Sequence, residues 1–324
     1  MSALSPTMAA EASAEIRERA PVDHLWRRAL RSGRVIVGGG LLLAIFLLCV
    51  VTLPQTMRAG SRWFYDDERE DLSRQPPRVT AVSEWFGTDS LGRSMLARCL
   101  MGGAASLTIG IAAAVLSVFL GVSVGLVSGY RGGWIDSLLM RIVDILYGLP
   151  YLLLVILLKI ALENPLTTLL RSPQLANFIV LFLAIGSVSW LTMARVVRGQ
   201  VLSLRSQPFI EACRAGGIPQ WRIFTRHLLP NIVGPIIVYA TLIVPSAILN
   251  ESFLSFLGIG IQPPVPTWGS LASEGLMPSL NPINGRWWML VFPCALLAIT
   301  LLCLNFVGDG LRDVFDPRRE SAKI

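Results

Sequence analysis

Lysine and histidine are nearly missing from this chain of 324 residues, which has two of each, Lys159, Lys323, His24 and His227. Neither lysine follows a glycine-rich loop, so the G-x-x-x-x-G-K-[ST] cradle for nucleotide phosphates is lacking. The chain is therefore expected to hydrolyse no ATP itself. Two histidines far apart in sequence assemble no metal cluster, and no metal ligand set is predicted. The five cysteines (49, 99, 213, 294, 303) show no C-x-x-C spacing, which excludes a zinc site and a disulfide framework. Charge is scarce too. With 15% charged and 53% apolar residues, the composition is too hydrophobic for a soluble domain of this size and predicts a membrane protein.

The net charge of +7 and pI near 9.6 could suggest nucleic acid. The basic residues, however, are scattered among loops between apolar spans, and no basic stripe with interleaved aromatics exists. That distribution is the signature of membrane topology. Residues 1–34 form a polar tail with Arg27, Arg28, Arg31 and Arg34 and no cleavable signal, and 35–53 are apolar enough to span ~30 Å of hydrocarbon. Residues 54–98 balance seven arginines against seven acids and read as an external loop region. A core of five further helices follows over 99–311, and 312–324 form a second cytoplasmic tail. With both termini inside, the cytoplasmic segments hold eighteen Lys and Arg and the external ones ten, as the positive-inside rule requires. The fold class is an all-α membrane protein with six transmembrane helices.

Within the core, no charge occurs from Cys99 to Tyr130, while Gly121, Gly125 and Gly129 recur every four residues. That spacing puts small residues on one helix face and predicts close packing. The third span is expected from Trp134 to about Leu158 with Pro150 at its middle. Arg141 and Asp144, at i and i+3, are placed to pair with each other. A fourth span runs from Ser172 to Ala194. The stretch Leu228–Asn250 is broken by Pro230, Pro235 and Pro245; such prolines free carbonyls and suit a helix that lines a path. Glu251 follows on the external side. Arg141, Asp144, Pro245 and Glu251 are the structural or pathway candidates.

One long polar interruption stands out, residues 205–230, with Arg195 and Arg198 just upstream bringing its arginines to six. Pro208 suits the first position of a helix, Glu211 complements its positive end, and Gly216-Gly217 supply a stop. A second helix is expected from Pro219, with Trp221, Phe224 and Leu228 as an apolar stripe.

Glu211-Ala212-Cys213, then Gly217 and Leu229-Pro230, resembles the EAA loop of ABC importer permeases. Cys213 stands at the second Ala of that pattern, and His227 at its Ile. FGTDSLGRS (86–94), GYRGGWID (129–136), ESFLSFLGIGIQPPVPTWG (251–269) and GDGLRDVFDPR (308–318) resemble, in order, segments of the C-type permease subunit of the dipeptide, oligopeptide and nickel family. The resemblance spans about 85–318. It implies a type I importer permease in the bacterial inner membrane that forms half of a pore. Its implied partners are a homologous second permease, two ATPase subunits carrying ATP and Mg, and an external solute-binding protein. Glu211, Ala212, Cys213, Gly217, Leu229 and Pro230 would then couple the chain to the ATPase. Peptides are the expected substrate, with nickel or another small solute as the alternative. A secondary transporter would show inverted repeats and a midplane acid, and the sequence shows neither.

Overall fold

The structure, a computed structural model, describes residues 32–315 except 62 and 284. The predicted N-terminal tail up to residue 31 and the last nine residues lie outside the described part. Ten α-helices and two 3-10 turns are found among the described residues, with no strand beyond one isolated bridge between Thr88 and Ser94. In chain order the helices are α1 (Gly33–Thr56), α2 (Met95–Arg131), α3 (Gly133–Tyr147), α4 (Tyr151–Leu170), α5 (Pro173–Arg205), α6 (Pro208–Ala215), α7 (Gln220–Ile223), α8 (Leu229–Phe256), α9 (Trp268–Ser279) and α10 (Trp288–Phe315). Six helical stretches are long and apolar enough to cross a membrane: α1, α2, α4, α5, the run from α7 through α8, and α10.

The glycine spacing does what close packing requires. A Cβ on Gly121 would lie 2.5 Å from Met193 Cβ, one on Gly125 would lie 2.6 Å from the Ala194 carbonyl oxygen, and one on Gly129 would lie 2.8 Å from Val201 Cβ. The stripe thus lets α2 press directly on the backbone of α5. The same stretch spells G-x-S-x-G at 121–125, the letters of a hydrolase elbow. It lies mid-helix in a 37-residue element rather than on a strand-to-helix turn, so it presents no nucleophile.

The third span departs from expectation. The chain does not run as one helix through Pro150; α3 stops at Tyr147, Gly148-Leu149-Pro150 break it, and α4 begins at Tyr151. Proline at 150 denies the helix an N–H and clashes with the preceding turn, so a fresh start costs less than continuation. α4 runs on to Leu170, well past the expected Leu158. The flanking helices also exceed their apolar cores: α1 reaches Thr56 and α10 reaches Phe315.

The described residues of 57–94 are held by turns rather than by α-helices. Asp89 Oδ1 accepts from the N–H groups of Leu91 and Arg93, each at 2.9 Å, and the Gln75 N–H donates to Thr88 Oγ1 at 2.8 Å. Gly92 at φ +77° sits where a Cβ would fall 1.7 Å from the Arg69 carbonyl oxygen. The FGTDSLGR motif is therefore the knot that folds this segment. Ser94 ends it by capping α2, its Oγ accepting from the Ala97 N–H.

Candidate coupling loop and groove

The loop after α5 is built as its residues predict. Pro208 opens α6, Glu211 lies in the first turn, and both Glu211 and Ala212 are exposed. The helix closes in a Schellman motif, in which the Ile218 N–H donates to the Cys213 carbonyl at 3.1 Å and the Gly217 N–H to the Arg214 carbonyl at 3.0 Å. Gly217 carries the left-handed φ of +71° that this motif needs. Gly216, at φ −76°, does not. Ile210, Ile223 and Leu228 are fully buried and tie the loop to α2 through Tyr130. The Tyr130 hydroxyl donates to the Gln220 carbonyl at 2.9 Å, and Arg205 donates to the Tyr130 carbonyl at 3.2 Å.

The second helix is a correction. After one α turn the chain passes through a π-helical stretch, Phe224–Leu228, directly into α8. Leu229 and Pro230 are thus the first residues of α8 rather than the end of a separate helix. The predicted stripe is split: Leu228 is buried, whereas Trp221 is 74% exposed and stacks on Phe224. The extra residue in a π turn rotates the side chains off a 3.6-residue period.

The Arg141–Asp144 pair is a second correction. Arg141 has no ionic or hydrogen-bond partner among the described residues. Asp144 instead accepts from Arg195 on α5 at 2.7 Å, and that guanidinium lies 4.1 Å from the Tyr147 ring centroid. One turn away, Arg198 holds Asp136 with two hydrogen bonds of 2.6 and 2.7 Å while Ser128 also donates to it. The Arg198 hydrogen bonds hold the Asp136 carboxyl below the usual carboxylate range, with Ser128 adding to the effect against partial desolvation. These two pairs clamp α3 onto α5.

A groove of ≈ 530 Å³ has its walls in the α3–α4 break, α5 and α8. Its lining is largely apolar, but it includes Tyr151, Ser189 and Asn250. Asn250 Nδ2 donates to the Tyr151 hydroxyl at 3.1 Å, which lies 3.2 Å from Ser189 Oγ. Sequence reasoning named none of these three. Each lies on a different helix, with no spacing in the sequence that links the three, and only tertiary packing brings them together. Pro245 is buried on α8, on the helix that walls the groove, but it is not itself among the lining residues.

Glu251 is buried completely, one residue beyond the groove. Ser255 donates to it at 2.8 Å and Ser252 at 3.3 Å, and Ser106 and Thr267 are also hydrogen-bonded to it. Those hydroxyls come from α2, α8 and the N-cap of α9, so this carboxyl joins three elements and reads as a structural clamp.

Comparison with known proteins agrees with this architecture. Residues 121–321 match the family model described as "Binding-protein-dependent transport system inner membrane component". The chain is 42% identical over 297 residues to the oligopeptide transport system permease protein OppC of Escherichia coli (strain K12), covering 91% of each chain. It is 41% identical over 298 residues to the dipeptide transport system permease protein DppC of Bacillus subtilis (strain 168), covering 90% of this chain and 84% of that one. Among solved structures, a chain of the MetNI methionine ABC transporter in inward-facing form superposes with a TM-score of 0.52 at 20% identity, covering 68% of this chain and 97% of the other.

Proposed function

Because this chain belongs to the family of binding-protein-dependent transport system inner membrane components, ABC importer permeases with several membrane spans, we propose that it forms half of the pore of an ATP-driven peptide importer. Relatives named for oligopeptide and dipeptide transport, matched along nine-tenths of the chain, support peptides as the cargo. In this reading ATP is bound and hydrolysed by two partner ATPases, a homologous permease supplies the other half of the pore, and an external binding protein delivers the peptide.

The observation that carries the coupling role is the exposed, Schellman-capped helix α6, held on a buried apolar base at the end of the molecule that also carries Arg131, Arg198 and Arg205. A short rigid helix on a firm base transmits a push, whereas a floppy loop absorbs it. Glu211, Ala212, Cys213 and Gly217 form its contact surface in this proposal. Leu229 and Pro230 start α8, so a displacement of the loop passes straight into the groove wall. The same proposal puts the basic end and both termini in the cytoplasm. The test is reconstitution of the chain with its second permease, ATPases and binding protein in liposomes. ATP-dependent peptide uptake is expected, and ATP hydrolysis without uptake of any peptide would overturn the assignment.

A further inference from the structure

The groove ends in a carboxamide with unused hydrogen-bonding capacity. Ser189 Oγ donates its one proton to the Ile185 carbonyl at 2.9 Å, so it can only accept from the Tyr151 hydroxyl 3.2 Å away. That direction spends the Tyr151 proton and leaves its oxygen as acceptor for Asn250 Nδ2 at 3.1 Å. The chain of bonds therefore has one sense and fixes which end of the Asn250 amide is which. Asn250 Oδ1 and its second amide proton have no partner among the described residues, and Asn250 lines the groove.

A fixed acceptor beside a fixed donor is the complement of a peptide group, which offers its own N–H and C=O. Side chains differ from peptide to peptide, but this pattern does not, and the remaining walls, mostly apolar with Thr192 and Ser246 among them, carry no charged residue and impose no charge preference. Building on the peptide reading above, we propose that Asn250, oriented by Tyr151 and Ser189, is a backbone-reading contact for the passing peptide in this half of the pore. Tyr151 and Ser189 are positioning residues. Uncharged walls with one oriented backbone contact would let the pore handle peptides of varied sequence at similar rates.

The test uses the full reconstituted importer with trialanine and with its ester analogue, in which one backbone N–H is replaced by oxygen. Uptake is measured with the binding protein saturated by either compound, so that its own preference drops out. The wild type should carry trialanine faster than the ester. Asn250→Leu should slow trialanine about ten-fold, the loss of roughly one hydrogen bond, erase the amide-over-ester preference, and leave binding-protein-stimulated ATP hydrolysis intact. Tyr151→Phe keeps the shape but frees the amide to rotate, and should weaken the preference without erasing it. An Asn250→Leu importer that keeps the wild-type preference would overturn the proposal. So would loss of the second permease on purification of that variant, which would make the groove a subunit interface. A wild-type importer that carries no peptide at all, trialanine included, would instead sink the peptide reading on which the proposal rests.

Discussion

The Arg98 guanidinium lies 2.7 Å from the Asp89 carboxylate, with both side chains almost wholly buried at the start of α2. Asp89 also takes Arg93 at 2.7 Å, and Arg98 reaches Glu274 on α9 at 2.6 Å. This network fastens the turn-rich segment before α2 to the α9 helix, 176 residues further on. Asp89→Asn leaves two arginines facing one another with reduced compensation; breaking a buried pair costs ~3–5 kcal/mol. Lower abundance in the membrane and a lower Tm in detergent are expected, whereas Glu274→Gln, at a part-exposed partner, should cost far less. Equal Tm for the two variants would show that the network is not the fastening.

Gly217 and Gly216 are neighbours with opposite demands. Only Gly217 has a left-handed φ, and neither an added Cβ there nor its surroundings create a clash. The cost of a side chain is conformational, about 1–2 kcal/mol. Gly217→Val should leave insertion and abundance normal and abolish transport by unmaking the end of α6, while Gly216→Ala should transport almost normally. ATPase co-purification and peptide uptake of the two variants, side by side, check this.

Glu211 is exposed and has no partner among the described residues. As a helix-start residue alone it matters little. If it meets a basic group on the ATPase, a charge-assisted contact of ~1.5–3 kcal/mol is at stake. Glu211→Gln should then bind its ATPases about ten-fold more weakly or worse and transport slowly, with partial recovery when the partner base is exchanged for a neutral residue. Undiminished ATPase affinity would confine coupling to the shape of α6.

Asp136 links α2, α3 and α5 through Ser128 and Arg198. Its folded-state pKa is depressed, so its contribution to stability is fully present above the ordinary aspartate range near ~4 and is lost as pH falls through the folded value. The stability gap between the wild type and Asp136→Asn, followed by thermal unfolding in detergent, should be constant at neutral pH and close only in acid below that range. A gap independent of pH would assign the effect to packing instead of charge.

The proposed topology has cysteine labelling as its check, in a background without native cysteines. Position 71 is exposed in the segment before α2, and Met277, 77% exposed on α9, serves the same side; Gly275 does not, since a Cβ there would lie 2.4 Å from the Met289 carbonyl oxygen. A non-permeant reagent added from outside should modify cysteines at 71 and 277 and spare one at 215. Labelling at 215 would overturn the orientation.

Much of this molecule is local and so was readable in the residues. The apolar runs set the spans, because a membrane helix satisfies its backbone within its own segment. Pro208, Glu211 and Gly217 set α6, because capping and a positive φ are decided within one turn. The glycines at 121, 125 and 129 showed that a tight contact exists but not that α5 fills it. What the tertiary structure decided concerns partners distant in sequence. Asp144 turns to Arg195 rather than to Arg141, because α5 passes close enough to supply a stacked and hydrogen-bonded guanidinium. The third span breaks at Pro150, because the groove beside it leaves room for the interruption. Tyr151, Ser189 and Asn250 meet only because α4, α5 and α8 pack together, and no periodicity in any one of them encodes the other two.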